Sequence, residues 1–548
     1  MLTYFEVVTL CALVGGAMSL SQADREAVCE NRGFQRSECQ AISCCEWDDG
    51  TCWAGSGGCD GSAAALDSDS DAGSPISTDP LNPCLDEYAA RLGISAVPST
   101  ASAAYKALYC KYTHITAPNG KPIEIFGQQQ LSSLQLYRAR NILEHYLRSA
   151  AGTTYGYDKG EVANSMANNG AKLDMPNGAH EQPGAGRSLE GQELFWAEMP
   201  VEGSAWYMTN DYDHRDAGFE EILHLVHDAG IGIDIEGYPD GALPQYQQEI
   251  RNATTNAQPT WLSPAGSGLW GECCRVWIEE LQDEGSLTQE YLASVIDAYY
   301  GLWGPHPDEG GMWGIYAAKT RSEIFERDIM GWNVVNQFFS PYLTWMVMLD
   351  PELEGSFTMT FRESSPYTWK SQYITHATLL GGRSSNLQGN ARDNRLGPNA
   401  GENTLDGMAG HDTVVFQGNC SEYTFSFDEI EGDVITIEDS VALREGITHI
   451  ENIEELSFAD GVYGINMSDC ATITHPPSTL SSPIPPSTFQ PTSSWPITST
   501  SDYPPEPPPP TACENNFGIG CSSSAPQYRV VVCIIIGIST FAQLTLRL

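Results

Sequence analysis

Apolar residues recur every nine positions along a glycine- and asparagine-rich stretch in the second half of the chain. The repeating residues are Leu387, Leu396, Leu405 and Val414, and short turns containing glycine or asparagine lie between them. A repeat of this length is typical of short strands that stack in successive coils. The sequence therefore predicts a small all-β domain over residues 383–470.

The last of these turns, Leu405-Asp-Gly-Met-Ala-Gly-His-Asp412, closely fits the nonapeptide of RTX (haemolysin-type) proteins, and the segment after it resembles their β-rich continuation. The resemblance implies a β-roll that binds calcium through backbone carbonyls and carboxylates. Its aspartate position is occupied by Asn394, Asn403 and Asp412, so we expect weaker binding than in an all-aspartate roll. A plain cluster of turns is the alternative. The implied calcium-binding residues are Asp393, Asn394, Asn399, Gly401, Asn403, Asp406, Gly410 and Asp412.

A second pattern, Glu220-Glu-Ile-Leu-His224-Leu-Val-His227, predicts a helix with polar chemistry on one side. Glu220, His224 and His227 are spaced i, i+4, i+7 and share a helix face, with Glu221 beside them. This is the arrangement of the zinc-protease helix HExxH with glutamate in place of the first histidine. It places Glu221 as general base, His224 as a zinc ligand, and Glu220 and His227 as candidate ligands. The alternative is the solvent-facing side of an ordinary amphipathic helix.

A later helix is expected to supply a further ligand. The stretch Glu290-Tyr-Leu-Ala-Ser294-Val-Ile-Asp297 resembles the second motif of zincins of the anthrax-lethal-factor type. The family's glutamate ligand aligns with Ser294, so Glu290, one turn earlier, is the candidate replacement. The resemblance implies a mostly helical zincin-like domain over residues 113–378. We expect its strands near 193–199 and 205–209, and its helices at 277–282, 286–302, 321–339 and 342–349.

The N-terminal cysteines indicate a disulfide-rich module at residues 26–60, because no histidine accompanies them as it would in a zinc site. Its Cys39-x4-Cys44-Cys45 spacing partly resembles a trefoil (P-type) domain, which implies glycan binding; a stapled spacer is the alternative. A linker follows at 61–82. Cys84 and Cys110 are expected to pair around a helical segment at 84–112.

Both ends of the chain predict an extracellular address. Residues 1–19 are typical of a signal peptide, 474–511 of a Pro/Ser/Thr-rich stalk, and 520–548 of a GPI-attachment signal. A C-terminal transmembrane anchor is the alternative to the GPI signal. We expect a glycoprotein on the outer face of the plasma membrane, or a secreted one.

An excess of acidic residues limits the kinds of partner that the chain can bind. The chain has 71 Asp and Glu against 27 Lys and Arg, a net charge of −44, which excludes nucleic-acid partners and favours cations.

The expected fold class is α+β: a zincin-like, mostly helical domain, then a small all-β domain, preceded by a disulfide-rich module. The leading hypothesis is a membrane-tethered metallopeptidase-like protein, weak or inactive, that acts on extracellular proteins or peptides. The alternative is a non-enzymatic surface or matrix protein that binds calcium and glycans.

Overall fold

A computed structural model describes residues 84–180, 186–233, 241–427 and 435–465, together with the paired strands 45–48 and 51–54. The chain divides into two compact units, residues 1–75 and 76–548. In the first unit, strands β1 (Cys45–Asp48) and β2 (Thr51–Ala54) form an antiparallel pair. The predicted signal peptide, linker, stalk and GPI signal, and most of the cysteine-rich module, lie outside the described residues.

The second unit begins with a mixed four-stranded sheet. Its strands are β3 (Lys111–Thr116), β4 (Pro122–Gly127), β5 (Lys172–Met175) and β6 (Gln192–Glu193), in the order β3-β4-β5-β6. β3 and β4 are antiparallel, whereas β5 is parallel to both of its neighbours. A disulfide joins Cys84 to Cys110 just before β3, which confirms the predicted pair.

Helices surround this sheet and continue after it. They are α1 (Ala103–Leu108), α2 (Ser133–Leu147), α3 (Gly160–Asn168), α4 (Ala205–Thr209), α5 (Gly218–Val226), α6 (Pro244–Ala257), α7 (Arg275–Glu284), α8 (Leu287–Tyr299), α9 (Arg321–Arg327), α10 (Ile329–Asn336) and α11 (Thr368–Ser371). The side chain of Ser132 caps the start of α2 in a capping box completed by Gln135. α2 and α8 both pack against α5, which places α5 in the centre of this part of the unit.

Two six-stranded sheets occupy the second half of the unit, and we call residues 343–465 the two-sheet segment. One sheet has the order β14-β15-β16-β12-β10-β8 and the other β18-β17-β13-β11-β9-β7. The strands are β7 (Leu343–Met348), β8 (Gly355–Thr358), β9 (Ile374–Thr378), β10 (Ser385–Gln388), β11 (Arg395–Gly397), β12 (Glu402–Asp406), β13 (Thr413–Val415), β14 (Tyr423–Phe427), β15 (Ile435–Asp439), β16 (Ile447–Glu451), β17 (Glu455–Phe458) and β18 (Gly461–Gly464).

From β7 to β13 the chain enters the two sheets in alternation, and neighbouring strands within each sheet are parallel. Leu387 faces Leu405 in one sheet and Leu396 faces Val414 in the other, and all four side chains are buried. The nine-residue period thus equals one strand and one turn. The sequence assigned strands β7 to β9 to the preceding domain. In the structure β8 and β9 pair with β10 and β11 of this repeat, and β7 pairs with β9.

Three local predictions are wrong. Residues 205–209 form α4 and not a strand, because the Ser204 hydroxyl accepts from the backbone N–H of Tyr207 and caps a helix. Residues 343–348 form β7 and not a helix, because burial alternates along Leu343, Trp345 and Val347 with the period of a strand. The predicted strand near 193–199 is limited to β6 (Gln192–Glu193), and Trp196–Glu198 form a 3₁₀ turn.

The predicted helix at 321–339 is divided at Asp328. Its carboxylate caps α10 through the N–H of Gly331 and also accepts hydrogen bonds from the hydroxyls of Tyr291 (2.6 Å) and Tyr316 (2.9 Å). Asp328 therefore ties α10 to α8. The predicted α+β class is confirmed. In the described residues, no helix is both long and apolar enough to cross a membrane.

A buried lysine provides a pH test of this packing. The Lys159 ammonium donates to the carbonyl of Tyr146 (2.9 Å) and lies 4.1 Å from the centre of the Phe338 ring. Burial lowers the pKa of Lys159 to about 7. Below that pH the folded protein carries the full cost of a buried charge. Above it the folded state releases the proton while the unfolded state keeps it until about pH 10.4, so stability rises with pH over this interval.

We expect Lys159→Met to be more stabilising, or less destabilising, at pH 6.5 than at pH 9.5, with a difference of about 2–4 kcal/mol between the two. Urea unfolding at both pH values measures it. Lys106→Met, at an exposed lysine, is the control and should show no such difference. Equal effects of Lys159→Met at the two pH values would contradict a lowered pKa of Lys159 in the folded protein.

Candidate metal site

Helices α5 and α8 bring three predicted ligands together. Side-chain ligand atoms of Glu220, His224 and Glu290 all lie within 4.8 Å of one another. Glu220 and His224 are one turn apart on α5, and Glu290 lies in the first turn of α8. His224 Nε2 is 3.7 Å from Glu290 Oε1. Within the described residues, these three side chains form a group of histidine and acidic residues with the spacing that a metal ion needs.

The cluster is sheltered but not sealed. The side chains of His224 and Glu290 are 12% and 18% exposed, and that of Glu220 is 6% exposed. His224 Nε2 has no hydrogen-bond partner although the atom is buried. A buried ring nitrogen without a partner is costly, and a metal ion would satisfy it.

The donor set fits a transition metal such as zinc. Zinc binds imidazole nitrogen and carboxylate oxygen, and two ligands at about 2.0–2.1 Å in a tetrahedral site lie about 3.3 Å apart. The 3.7 Å between His224 Nε2 and Glu290 Oε1 is close to that spacing. A small closure of the two helices would suffice for both atoms to bind one ion.

Arg215 provides a fixed positive charge at the same place. Its guanidinium Nη2 lies 2.5 Å from Glu220 Oε2, and both side chains are mostly buried. A carboxylate has two oxygens, so this ion pair leaves one oxygen of Glu220 for a metal. It also weakens Glu220 as a ligand, because part of its negative charge is already compensated.

Glu221, the predicted base, lies beside the ligands. Its Oε2 accepts a hydrogen bond from the side-chain amide of Gln192 in β6 (2.8 Å) and is 3.8 Å from His224 Nδ1. Burial raises the pKa of Glu221 to about 8; the negative charge of Glu220 adds to the shift and His224 opposes it. A carboxyl group with a pKa near neutrality is suited to taking and returning a proton.

Glu290 has a similar electrostatic environment. Burial raises its pKa to about 8, with a further contribution from Glu220, while Arg215 opposes the shift. The site therefore holds more carboxyl groups than its two basic side chains can neutralise. Such a surplus favours a divalent cation.

His227 and Ser294 do not join this cluster. α5 ends at Val226 and the chain continues as a π-helical turn, His227–Ile231. His227 Nε2 shares a hydrogen bond with Gln247 Oε1 (2.7 Å). Ser294 is buried and accepts from Trp270 Nε1 (3.0 Å).

Two further acidic residues border the site. Asp297 lies on α8 seven residues after Glu290, and thus on the same helix face. It accepts a hydrogen bond from Trp303 Nε1 (3.0 Å), and burial raises its pKa strongly. Asp228 was missed by the sequence analysis. Burial raises the pKa of Asp228 to about 6, and the charge of His224 opposes this shift. Its spacing, one turn beyond His224, was the signal that could have identified it.

The eight residues predicted to bind calcium all lie in or between strands β10 to β13. Asn394, Asn399, Asn403 and Asp412 are buried, whereas Asp406 at the end of β12 accepts from the exposed backbone N–H of Met408. Asp393 accepts from the backbone N–H of His411. Gly401 and Gly410 pack close to neighbouring backbone, where a Cβ atom would lie 2.5 and 2.6 Å from a carbonyl oxygen.

Cys420, at the end of this repeat, is disulfide-bonded. A scan against protein-family models and a search of curated proteins both found no match to this chain.

Proposed function

We propose that this chain binds a divalent transition metal, zinc by its donor set, between α5 and α8, and that it is a metallopeptidase-like protein. The convergence of Glu220, His224 and Glu290 around a buried, unpartnered imidazole nitrogen carries the proposal. Under it the helical part of the second unit is zincin-like and the two-sheet segment is a β-roll. The proposal includes the extracellular, GPI-anchored location and the trefoil-like module inferred from the sequence.

Each side chain has a defined role in this proposal. Glu220, His224 and Glu290 hold the ion, which when bound polarises a carbonyl and acidifies a water molecule. Glu221 accepts the proton of the attacking water, and the amide of Gln192 holds the Glu221 carboxylate in place. β6 pairs with β5 on one side, so its other edge is available to align an extended peptide next to Glu221.

The experiment is a peptidase assay on the zinc-loaded chain with unfolded protein substrates. We expect Glu221→Gln to lower the hydrolysis rate by about 10²–10⁴-fold while zinc affinity changes little, since the amide keeps the size of the side chain but cannot accept the proton. His411→Ala, at an exposed histidine remote in sequence, is the control and should keep full activity. Equal rates for Glu221→Gln and the wild type would contradict the role of Glu221.

One observation favours a second function. The ion pair between Arg215 and Glu220 stabilises the acidic cluster without any metal. A non-enzymatic, acidic surface protein would use the same geometry only as a structural element. Zinc-loaded wild type without hydrolytic activity on any peptide would support this function and not the first.

A further inference from the structure

Two consecutive turns of the two-sheet segment share one hydrogen-bond pattern, displaced by nine residues. In the first, Asn394 Oδ1 accepts from the backbone N–H of Asn390 (2.7 Å) and Asn394 Nδ2 donates to Asn390 Oδ1 (3.1 Å). In the second, Asn403 Oδ1 accepts from the N–H of Asn399 (2.9 Å) and Asn403 Nδ2 donates to Asn399 Oδ1 (3.0 Å). Each turn is thus closed by a pair of asparagines.

The same amides also connect each turn to the preceding coil. Asn394 Nδ2 donates to the carbonyl of Thr375 (3.2 Å), and Asn403 Nδ2 donates to the carbonyl of Ser385 (2.8 Å). Asn394 and Asn403 are each 1% exposed. Ser385 stands nine residues before Asn394 and makes the equivalent contact, its hydroxyl donating to the carbonyl of Leu353 (2.6 Å). A neutral donor therefore recurs at this position in three successive turns.

Calcium does not fit these turns. The ion needs six to eight oxygen ligands. Here the carbonyl oxygens of Thr375 and Ser385 already accept from amide nitrogens, and the amide oxygens of Asn394 and Asn403 already accept from backbone N–H groups. The amide orientation is fixed from both ends, because a flipped amide would place N–H against N–H and oxygen against oxygen.

We propose that asparagine amides replace calcium in closing the turns at Asn394 and Asn403, so that these two turns form without this ion. An amide supplies a donor and an acceptor in one neutral group. A carboxylate at either position would face a buried carbonyl oxygen and would need a cation to compensate it. We therefore expect no calcium binding in these two turns, where the sequence predicted weak binding.

Asp412 is the exception in this series. Its Oδ1 accepts from the N–H of Asn394 (2.7 Å), but its Oδ2 is buried and has no hydrogen-bond partner. The partner position, occupied by Asn390 and Asn399 in the two earlier turns, is Met408 here. The contrast shows what a carboxylate leaves unsatisfied where an asparagine pair does not.

Hydrogen exchange of the full chain, read by mass spectrometry on peptides within residues 385–404, tests the proposal. We expect the same protection in millimolar calcium and in EDTA. The proposal is overturned if chelation lowers protection by about tenfold or more, equivalent to about 1.4 kcal/mol of opening free energy, and calcium but not magnesium restores it.

A variant that introduces carboxylates into both turns should make their protection depend on calcium. The double variant Asn394→Asp/Asn403→Asp should lose protection by about tenfold or more in EDTA and recover it in calcium, since it restores carboxylates to both turns. Asn386→Asp is the matched control, because Asn386 is exposed; its Oδ1 accepts from the N–H of Thr404 (2.9 Å) and its Nδ2 donates to Ser356 Oγ (3.5 Å). Wild-type protection of the double variant in EDTA would overturn the proposal, and if that variant does not fold, the wild-type comparison decides alone.

Discussion

Arg138→Met is expected to destabilise the protein by about 3–5 kcal/mol, because it leaves two buried carboxylates without their main partner. Arg138 donates to both oxygens of Asp216 (2.8 Å each) and, through Nε, to Glu202 (2.7 Å). All three side chains are at most 5% exposed. Lys370 Nζ, 3.6 Å from Asp216, remains and compensates only part of the charge.

Urea unfolding of the wild type and the variant measures this loss. Arg275→Met is the matched control: Arg275 pairs with Glu279 on the same helix, but both side chains are more than half exposed, so we expect a change of at most about 0.5 kcal/mol. If Arg138→Met lowers the free energy of unfolding by no more than the control does, the buried ion-pair network does not hold α2 against the loop before α5.

His224→Ala is expected to lower zinc affinity by at least about 100-fold, more than the loss typical of a residue that only supports a ligand. The imidazole is the one nitrogen donor in the cluster, and its Nε2 faces Glu290 at 3.7 Å. Titration against a chromophoric zinc chelator measures the affinity. Glu290→Gln should also weaken binding, since it removes a charged ligand but preserves the packing of α8.

The control for this series is His411→Ala, which removes an exposed histidine paired with Glu455 in the two-sheet segment. Because the chain has a net charge of −44, weak zinc binding at its surface is expected in every variant. A tight site that persists in His224→Ala would place the metal elsewhere and would contradict the assignment.

Periodic patterns in the sequence predicted the parts of the fold that depend on them. The nine-residue spacing of Leu387, Leu396, Leu405 and Val414 correctly identified residues that are buried in parallel strands. The amphipathic pattern identified α5 and α8. The prediction of short elements was less successful. α4 was predicted as a strand, because its five residues are too few to show a helical period and its formation depends on the Ser204 cap.

Helix geometry alone predicted one part of the site. Glu220 and His224 are one turn apart on any α-helix, so their proximity follows from sequence. His227 follows on the same helix, but tertiary packing sets its partner, Gln247 of α6 (2.7 Å). Arg215 reaches the cluster through tertiary packing and was not predicted. Glu290 was identified through a family resemblance, because no local spacing in a single sequence encodes the approach of α8 to α5.

The most direct test of the metal site is anomalous X-ray scattering from crystals grown or soaked with zinc. The account predicts a strong peak between α5 and α8, within bonding distance of His224 Nε2 and of a carboxylate oxygen from both Glu220 and Glu290. Density that instead shows Arg215 paired with Glu220 and no anomalous peak near His224, at zinc concentrations that saturate binding in solution, would contradict it.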